Sequence, residues 1–178
     1  MAIFDVQKIS TTNKTIVTST YGNYNSVVFT NTHATADVTI DLYVASQVGT
    51  DITNTTVIAA EVEGVSTAST ILTVKTVNAT DDALLNERVY KSTGVLFGVC
   101  TAVTDTTHIV FGGGLSNATA VDDALFTGTR YHILNNVKIP NGASLKLMSD
   151  EIKFNSDTHT LYINSDNAAG AIDIITRY

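Results

Sequence analysis

Residues 137–147 read VKIPNGASLKL and contain the only proline of the chain. Apolar Val137 and Ile139 alternate with polar residues before the proline, and Leu145 and Leu147 alternate with polar residues after it. A period of two is typical of strands that bury one face. The intervening Pro-Asn-Gly supplies a preset φ and two residues that tolerate left-handed conformations. The stretch therefore predicts a β-hairpin in a half-buried antiparallel sheet.

The same alternation continues on both sides of this stretch. Residues 37–44, DVTIDLYV, carry four apolar side chains at every second position and predict a strand with one buried face. Further strands are predicted at residues 14–18, 26–30, 133–139, 144–147, 151–154, 160–164 and 171–176. Short strands at this spacing are typical of a β-sandwich of the jelly-roll kind.

The middle of the chain has a different pattern. A strand is predicted at residues 56–60, followed by a linker at 61–69. Beyond the linker, strands are predicted at residues 71–74, 88–90, 95–103, 108–111 and 124–126. Gly94 fits the left-handed position of a hairpin turn, and Gly98 indicates a bulge or sharp bend inside a strand. We expect an all-β protein in which residues 1–60 and 131–178 form a jelly-roll-like β-sandwich, and residues 61–130 form an inserted small β-barrel.

The composition excludes several classes of protein. Of the 178 residues only 15% are charged, the net charge is −7, and the ten basic residues form no block, which argues against nucleic acid and anionic membranes as partners. Cys100 is the only cysteine, so an internal disulfide is impossible, and in an apolar strand it is interpreted as a small buried hydrophobe. A signal-peptide pattern and an apolar run of about 20 residues are both missing, and synthesis in a cytosol is expected.

No catalytic, cofactor or metal residues are predicted. The glycines at 112–114 are not followed by the lysine and hydroxyl of a phosphate-binding loop, and Ser144 lacks the second glycine of a nucleophile elbow. The four histidines show no metal-ligand spacing. Two similar acidic segments are interpreted as turns and not as a paired cation site; they carry Asp81, Asp82, Asp122 and Asp123. The chain is therefore not expected to be an enzyme.

Glycan binding stays open as an alternative function. β-Sandwiches often bind glycans through exposed aromatic side chains and acidic groups. This chain has no tryptophan, and its seven tyrosines form no cluster in the sequence.

Two outer segments and one inner segment resemble phage proteins. Residues 26–44, SVVFTNTHATADVTIDLYV, and residues 131–163, with the phrase I-P-N-G-A-S-L-K-L, resemble small virion structural proteins of tailed, marine (cyanophage-like) bacteriophages. Residues 88–115, RVYKSTGVLFGVCTAVTDTTHIVFGGGL, are similar to a small SH3-like module of phage structural proteins.

The resemblance implies a capsid decoration or cement protein. Such a protein is made in the host cytoplasm, binds the major capsid protein on the head surface and stabilises the shell; a homo-oligomer is expected, with a trimer as the first hypothesis. A tail, neck or fibre component is the alternative within the same class. The N-terminal arm, residues 1–20, is the candidate for capsid contact through Ile3, Phe4, Val6 and Ile9, and its alternative is the first strand of the sandwich.

Overall fold

The chain divides into two compact units, Met1–Val44 with Arg130–Tyr178, and Ala45–Thr129. The computed structural model describes residues 4–9, 15–18, 25–53, 71–74, 84–105, 107–121, 123–167 and 172–177. The predicted domain limits stay a prediction, because compact units need not fold independently.

The described residues form β-strands and no helix, so the all-β prediction is confirmed. In chain order the strands are β1 (Phe4–Ile9), β2 (Thr15–Thr18), β3 (Ser26–Asn31), β4 (Val38–Ser46), β5 (Ile52–Thr53), β6 (Ile71–Thr73), β7 (Arg88–Lys91), β8 (Leu96–Asp105), β9 (His108–Phe111), β10 (Leu125–Gly128), β11 (Arg130–Ile139), β12 (Ser144–Met148), β13 (His159–Ser165) and β14 (Ile172–Arg177). They assemble into three antiparallel sheets. The predicted strand at 56–60 lies outside the described residues.

The first unit contains two of these sheets. Their strand orders are β1-β14-β3-β12 and β11-β4-β13-β2. Alternate residues of both sheets meet in one buried cluster, in which Phe29 of β3, Leu42 of β4 and Leu161 of β13 have no exposed surface. The alternation in residues 37–44 therefore identified the buried face of β4 correctly.

The turn of the opening stretch is present, but the predicted hairpin is wrong. The Ala143 amide donates to the Pro140 carbonyl at 3.0 Å, and Gly142 takes a left-handed φ of 70°. However, β11 before the turn and β12 after it belong to different sheets. The turn is a corner between the two sheets.

Pairing with β3 explains the corner. The Asn31 amide donates to the Ala143 carbonyl at 3.0 Å, and the Gly142 amide donates to the Asn31 carbonyl at 3.2 Å. The side-chain amide of Asn31 also donates to the Ile139 carbonyl at 2.9 Å. Because β3 supplies these partners, the chain after the turn adds to the sheet of β3 and does not fold back on β11.

The predicted strand at 151–154 is also wrong. The Glu151 amide donates to the Met148 carbonyl at 3.0 Å, and the Glu151 carboxylate accepts from the Met148 amide at 2.7 Å, so a turn closes here. Ile152 is nevertheless buried in the core of the first unit. Its apolar character reflects burial within a loop.

The second unit is built on one sheet with the strand order β5-β10-β7-β8-β9-β6. The long strand β8 pairs with β7 through its first half and with β9 through its second half. Gly94 has a φ of 81° in the β7–β8 hairpin, and the register shifts beside Gly98, so both glycine predictions are confirmed. A side chain at Gly98 would lie 2.9 Å from Cδ1 of the buried Phe111.

The predicted SH3-like barrel is wrong for the part of the chain that the structure describes, because none of the three sheets closes there. A barrel must pair its first and last strands with each other. Here the end strands are the two-residue β5 and the three-residue β6, and each has one neighbour in the sheet as described. Leu72, Val89, Phe97 and other side chains still form a separate buried core for this unit.

Candidate functional site

The predicted contact arm includes the edge strand β1. Its residues pair antiparallel with β14, from Phe4 opposite Arg177 to Ile9 opposite Ile172. The side chain of Val6 is 60% exposed, whereas that of Ile9 is 1% exposed and belongs to the core. Ile3 and the side chain of Phe4 lie outside the described residues. Side chains are described for two of the four predicted contact residues, and of these two Val6 is the exposed one.

Val6 belongs to an apolar row across the outer face of its sheet. We define the outer face as the side of the sheet β1-β14-β3-β12 that points away from the core. Val6 lies opposite Ile175, and Ile175 lies opposite Val28. Val28 in turn lies opposite Lys146 on β12. Ile175 and Val28 are half-buried, so three neighbouring strands present branched apolar side chains on this face.

A tyrosine cluster lies on the other sheet of the first unit. The rings of Tyr43 on β4 and Tyr162 on β13 stack with centroids 5.6 Å apart. His132 lies 5.4 Å from Tyr43, and the guanidinium of Arg130 lies 5.1 Å from the same ring, a cation–π distance. Both tyrosines are under 5% exposed. Sequence reasoning missed this cluster, because alternation gives the face of each tyrosine but not which strands are neighbours.

A second aromatic pair is more accessible. Tyr131 is 50% exposed, and its ring centroid lies 5.9 Å from that of His159. The Nδ1 atom of His159 is also 2.8 Å from the Thr158 hydroxyl. Tyr131 is thus a half-exposed aromatic side chain beside an imidazole.

The acidic segments show no metal site in the part of the chain that the structure describes. Asp123 forms an ion pair with Lys91 at 2.7 Å and accepts from the Ala120 amide at 2.8 Å. Burial raises the pKa of Asp123, but the hydrogen bonds and the charge of Lys91 outweigh it, and the pKa falls below its usual value. Asp81, Asp82 and Asp122 lie outside the described residues.

The β8–β9 turn contains Asp105, a carboxyl group whose pKa is strongly lowered. The Asp105 carboxylate lies 2.9 Å from Nδ1 of His108 and accepts from the amide and hydroxyl of Thr107 at 2.7 and 2.9 Å. These contacts, with the His108 contact as the largest, lower the pKa of Asp105 to about 2. Because Asp105, Thr107 and His108 lie within four residues of one another, these contacts stabilise the exposed turn locally.

The single cysteine is buried. Cys100 has no exposed surface and belongs to the core of the second unit, in agreement with its interpretation as a small hydrophobe. The glycines that follow β9 form a turn in which Gly114 has a φ of 76°.

Comparisons with protein-family models, with curated proteins and with solved structures found no match to this chain. Within the described ranges there is no helix that is long and apolar enough to cross a membrane.

Proposed function

We propose that this protein is a non-enzymatic structural protein of a tailed-phage virion: a capsid decoration or cement protein that binds the major capsid protein and stabilises the head. It would be made in the host cytoplasm and act on the head surface as a homo-oligomer, with a trimer as the first hypothesis. The sequence resemblance of residues 26–44 and 131–163 gives the class, and the strand order of the first unit supports it.

The strand order is the observation that carries the proposal. When the eight strands of the first unit are numbered from one to eight, the two sheets run 1-8-3-6 and 5-4-7-2. This order and the shared core support a jelly roll, in which two Greek keys form two packed sheets. Viral capsid domains use that architecture. The second unit would then be an insertion between the fourth and fifth strands.

The physical demands of a decoration protein fit this architecture. Antiparallel sheets around one core give a rigid body, and an exposed edge strand can accept a partner by strand addition. Many copies on a symmetric lattice convert weak single contacts into strong retention. One fold hosts several functions, so the assignment needs a direct binding test.

The test is co-sedimentation of the purified protein with empty phage heads and, separately, with isolated tails. We expect saturable binding to heads at a stoichiometry that matches the capsomer lattice. Binding to tails alone would show that the protein is a tail, neck or fibre component instead. Binding to neither heads nor tails would reject the virion role. Val6→Asp should weaken head binding, and Val95→Asp is the matched control, because Val95 is also exposed but lies in the second unit.

The accessible pair of Tyr131 and His159 favours a second candidate, a glycan-binding module that contacts the host. Ligand sites combine aromatic side chains with a few placed polar groups, and an exposed ring beside an imidazole supplies one of each. A glycan array followed by calorimetry tests it. Binding that is lost in Tyr131→Ala would support this function, and an empty array would reject it.

A further inference from the structure

The outer face of the sheet β1-β14-β3-β12 combines apolar and basic side chains. The row of Val6, Ile175 and Val28 runs across its middle. One end of this row is Lys146. The neighbouring rows add two more exposed cations, Lys8 and Arg177.

The acidic side chain on this face is Asp173, which lies opposite Lys8. Among the described residues, three cations and one acid give the outer face a net charge of +2. The whole chain carries −7, so the rest of the sequence carries −9. The face is thus a basic region on an acidic protein.

The apolar row is unusual for a solvated sheet face. An antiparallel sheet with one face in water normally alternates apolar-in and polar-out. The neighbouring row follows that rule, since Thr30 lies opposite Ser144 and their hydroxyls are 2.8 Å apart. Threonine has the β-branched shape that a strand favours and would serve equally well at position 28 if water were the only neighbour.

We propose that the outer face is a docking surface for an acidic segment of another protein that carries apolar side chains between its carboxylates. The branched row receives the apolar side chains, and Lys8, Lys146 and Arg177 meet the carboxylates. Opposite potentials steer such a segment towards the face and fix its register.

Charge decides against a second copy of this chain on the same face. Two outer faces packed on each other would bring three cations of one copy against three of the other, and like charges oppose association. A polynucleotide would satisfy the cations but would leave the apolar row without an apolar neighbour. An acidic, apolar polypeptide satisfies both features.

The inference deepens the proposed function and rests on it in one respect: on a virion, the acidic segment would belong to the shell protein. The test below uses no virion component. Failure of the docking surface and failure of the decoration role can therefore be distinguished.

The test is fluorescence anisotropy with two labelled synthetic peptides with blocked ends, one with the repeat Glu-Ser-Ile-Ser and one with the repeat Lys-Ser-Ile-Ser, so that the charged and apolar side chains share one face of an extended strand. We expect the acidic peptide to bind at least about tenfold more tightly than the basic one at low salt, and its affinity to fall as NaCl screens the charges. Lys146→Glu should lower the affinity for the acidic peptide by about fivefold or more. Val28→Thr should also weaken it, while its branched side chain preserves the strand.

The control is Lys153→Glu, which makes the same charge change in the connection between β12 and β13. It should leave peptide affinity within about twofold of the unmodified protein. Melting curves of all variants establish that each is folded. Equal affinity for both peptides, or equal losses in the control and in Lys146→Glu, would overturn the proposal. A dimer in analytical ultracentrifugation that Val28→Thr dissociates, or preference for a single-stranded oligonucleotide, would do the same.

Discussion

Replacing Asn31 with alanine should open the corner between the two sheets of the first unit. The Asn31 side chain is 1% exposed and makes three hydrogen bonds. Its amide nitrogen donates to the carbonyls of Ala36 and Ile139, both at 2.9 Å, and its oxygen accepts from the His33 amide at 2.9 Å. One side chain thus connects the end of β3, the end of β11 and the loop after β3.

The expected loss follows from these three bonds. The bond to the Ile139 carbonyl is buried, and a buried acceptor left without its donor costs about 1–3 kcal/mol. The two part-buried bonds contribute about 0.5–1.5 kcal/mol each. Water can replace part of this, so we expect about 3 kcal/mol of destabilisation. For a chain of this length that lowers the melting temperature by about 6–12 °C.

Differential scanning calorimetry and urea unfolding measure this loss. The matched control is Asn141→Ala, because the Asn141 side chain donates to the His33 carbonyl at 2.8 Å in an exposed position. It should lose no more than about 1 kcal/mol. Asn31→Asp keeps the acceptor and the volume but loses both donors, and should be destabilised at least as much as Asn31→Ala. If Asn31→Ala and Asn141→Ala melt at the same temperature, the side chain of Asn31 does not hold the corner.

Three further outcomes are expected. Gly94→Ala should destabilise the second unit by at least about 2 kcal/mol, because Gly94 has a φ of 81° and a Cβ there would lie 2.2 Å from a backbone oxygen. The control is Gly113→Ala, which has open space around its Cβ position and should unfold at the same urea concentration as the unmodified protein. The pKa of Asp105 is lowered from 3.8 to about 2, so its stabilisation is complete above the unfolded value and is lost as the pH falls towards 2. The melting difference between the unmodified protein and Asp105→Asn should accordingly shrink over that interval, and a constant difference would contradict the assigned contacts. The Cys100 thiol should react with a disulfide reagent only after unfolding, and rapid reaction in the folded protein would show that the buried environment is open.

Local patterns identified most of the described strands and their buried faces, although the pattern at 151–154 belongs to a loop and not to a strand. In residues 37–44 a period of two identified the side chains that β4 buries, because pleating fixes which residues share a face. The conformations of Gly94 and Gly142 followed from turn chemistry, since a left-handed φ favours glycine whatever the partner strand is. These features depend on a few neighbours along the chain.

Features that depend on distant partners were not predicted. The turn at 140–143 looked like a hairpin because its strands and its Pro-Asn-Gly suit one, yet β3, more than a hundred residues earlier, takes β12 as its neighbour. The long strand β8 looked like part of a barrel, but whether a sheet closes depends on its end strands. Both errors concern which strands pair.

The candidate sites divide in the same way. The sequence by itself determined an acidic, threonine-rich all-β chain with alternating strands. It proposed Ile3, Phe4, Val6 and Ile9 as contacts without separating the exposed Val6 from the buried Ile9. Only the tertiary structure brought Tyr43 beside Tyr162, aligned Val6 with Ile175 and Val28, and gathered three cations around that row. The physical reason is that alternation fixes the face of a residue within its own strand, whereas strand order and register arise from the packing of the whole sheet.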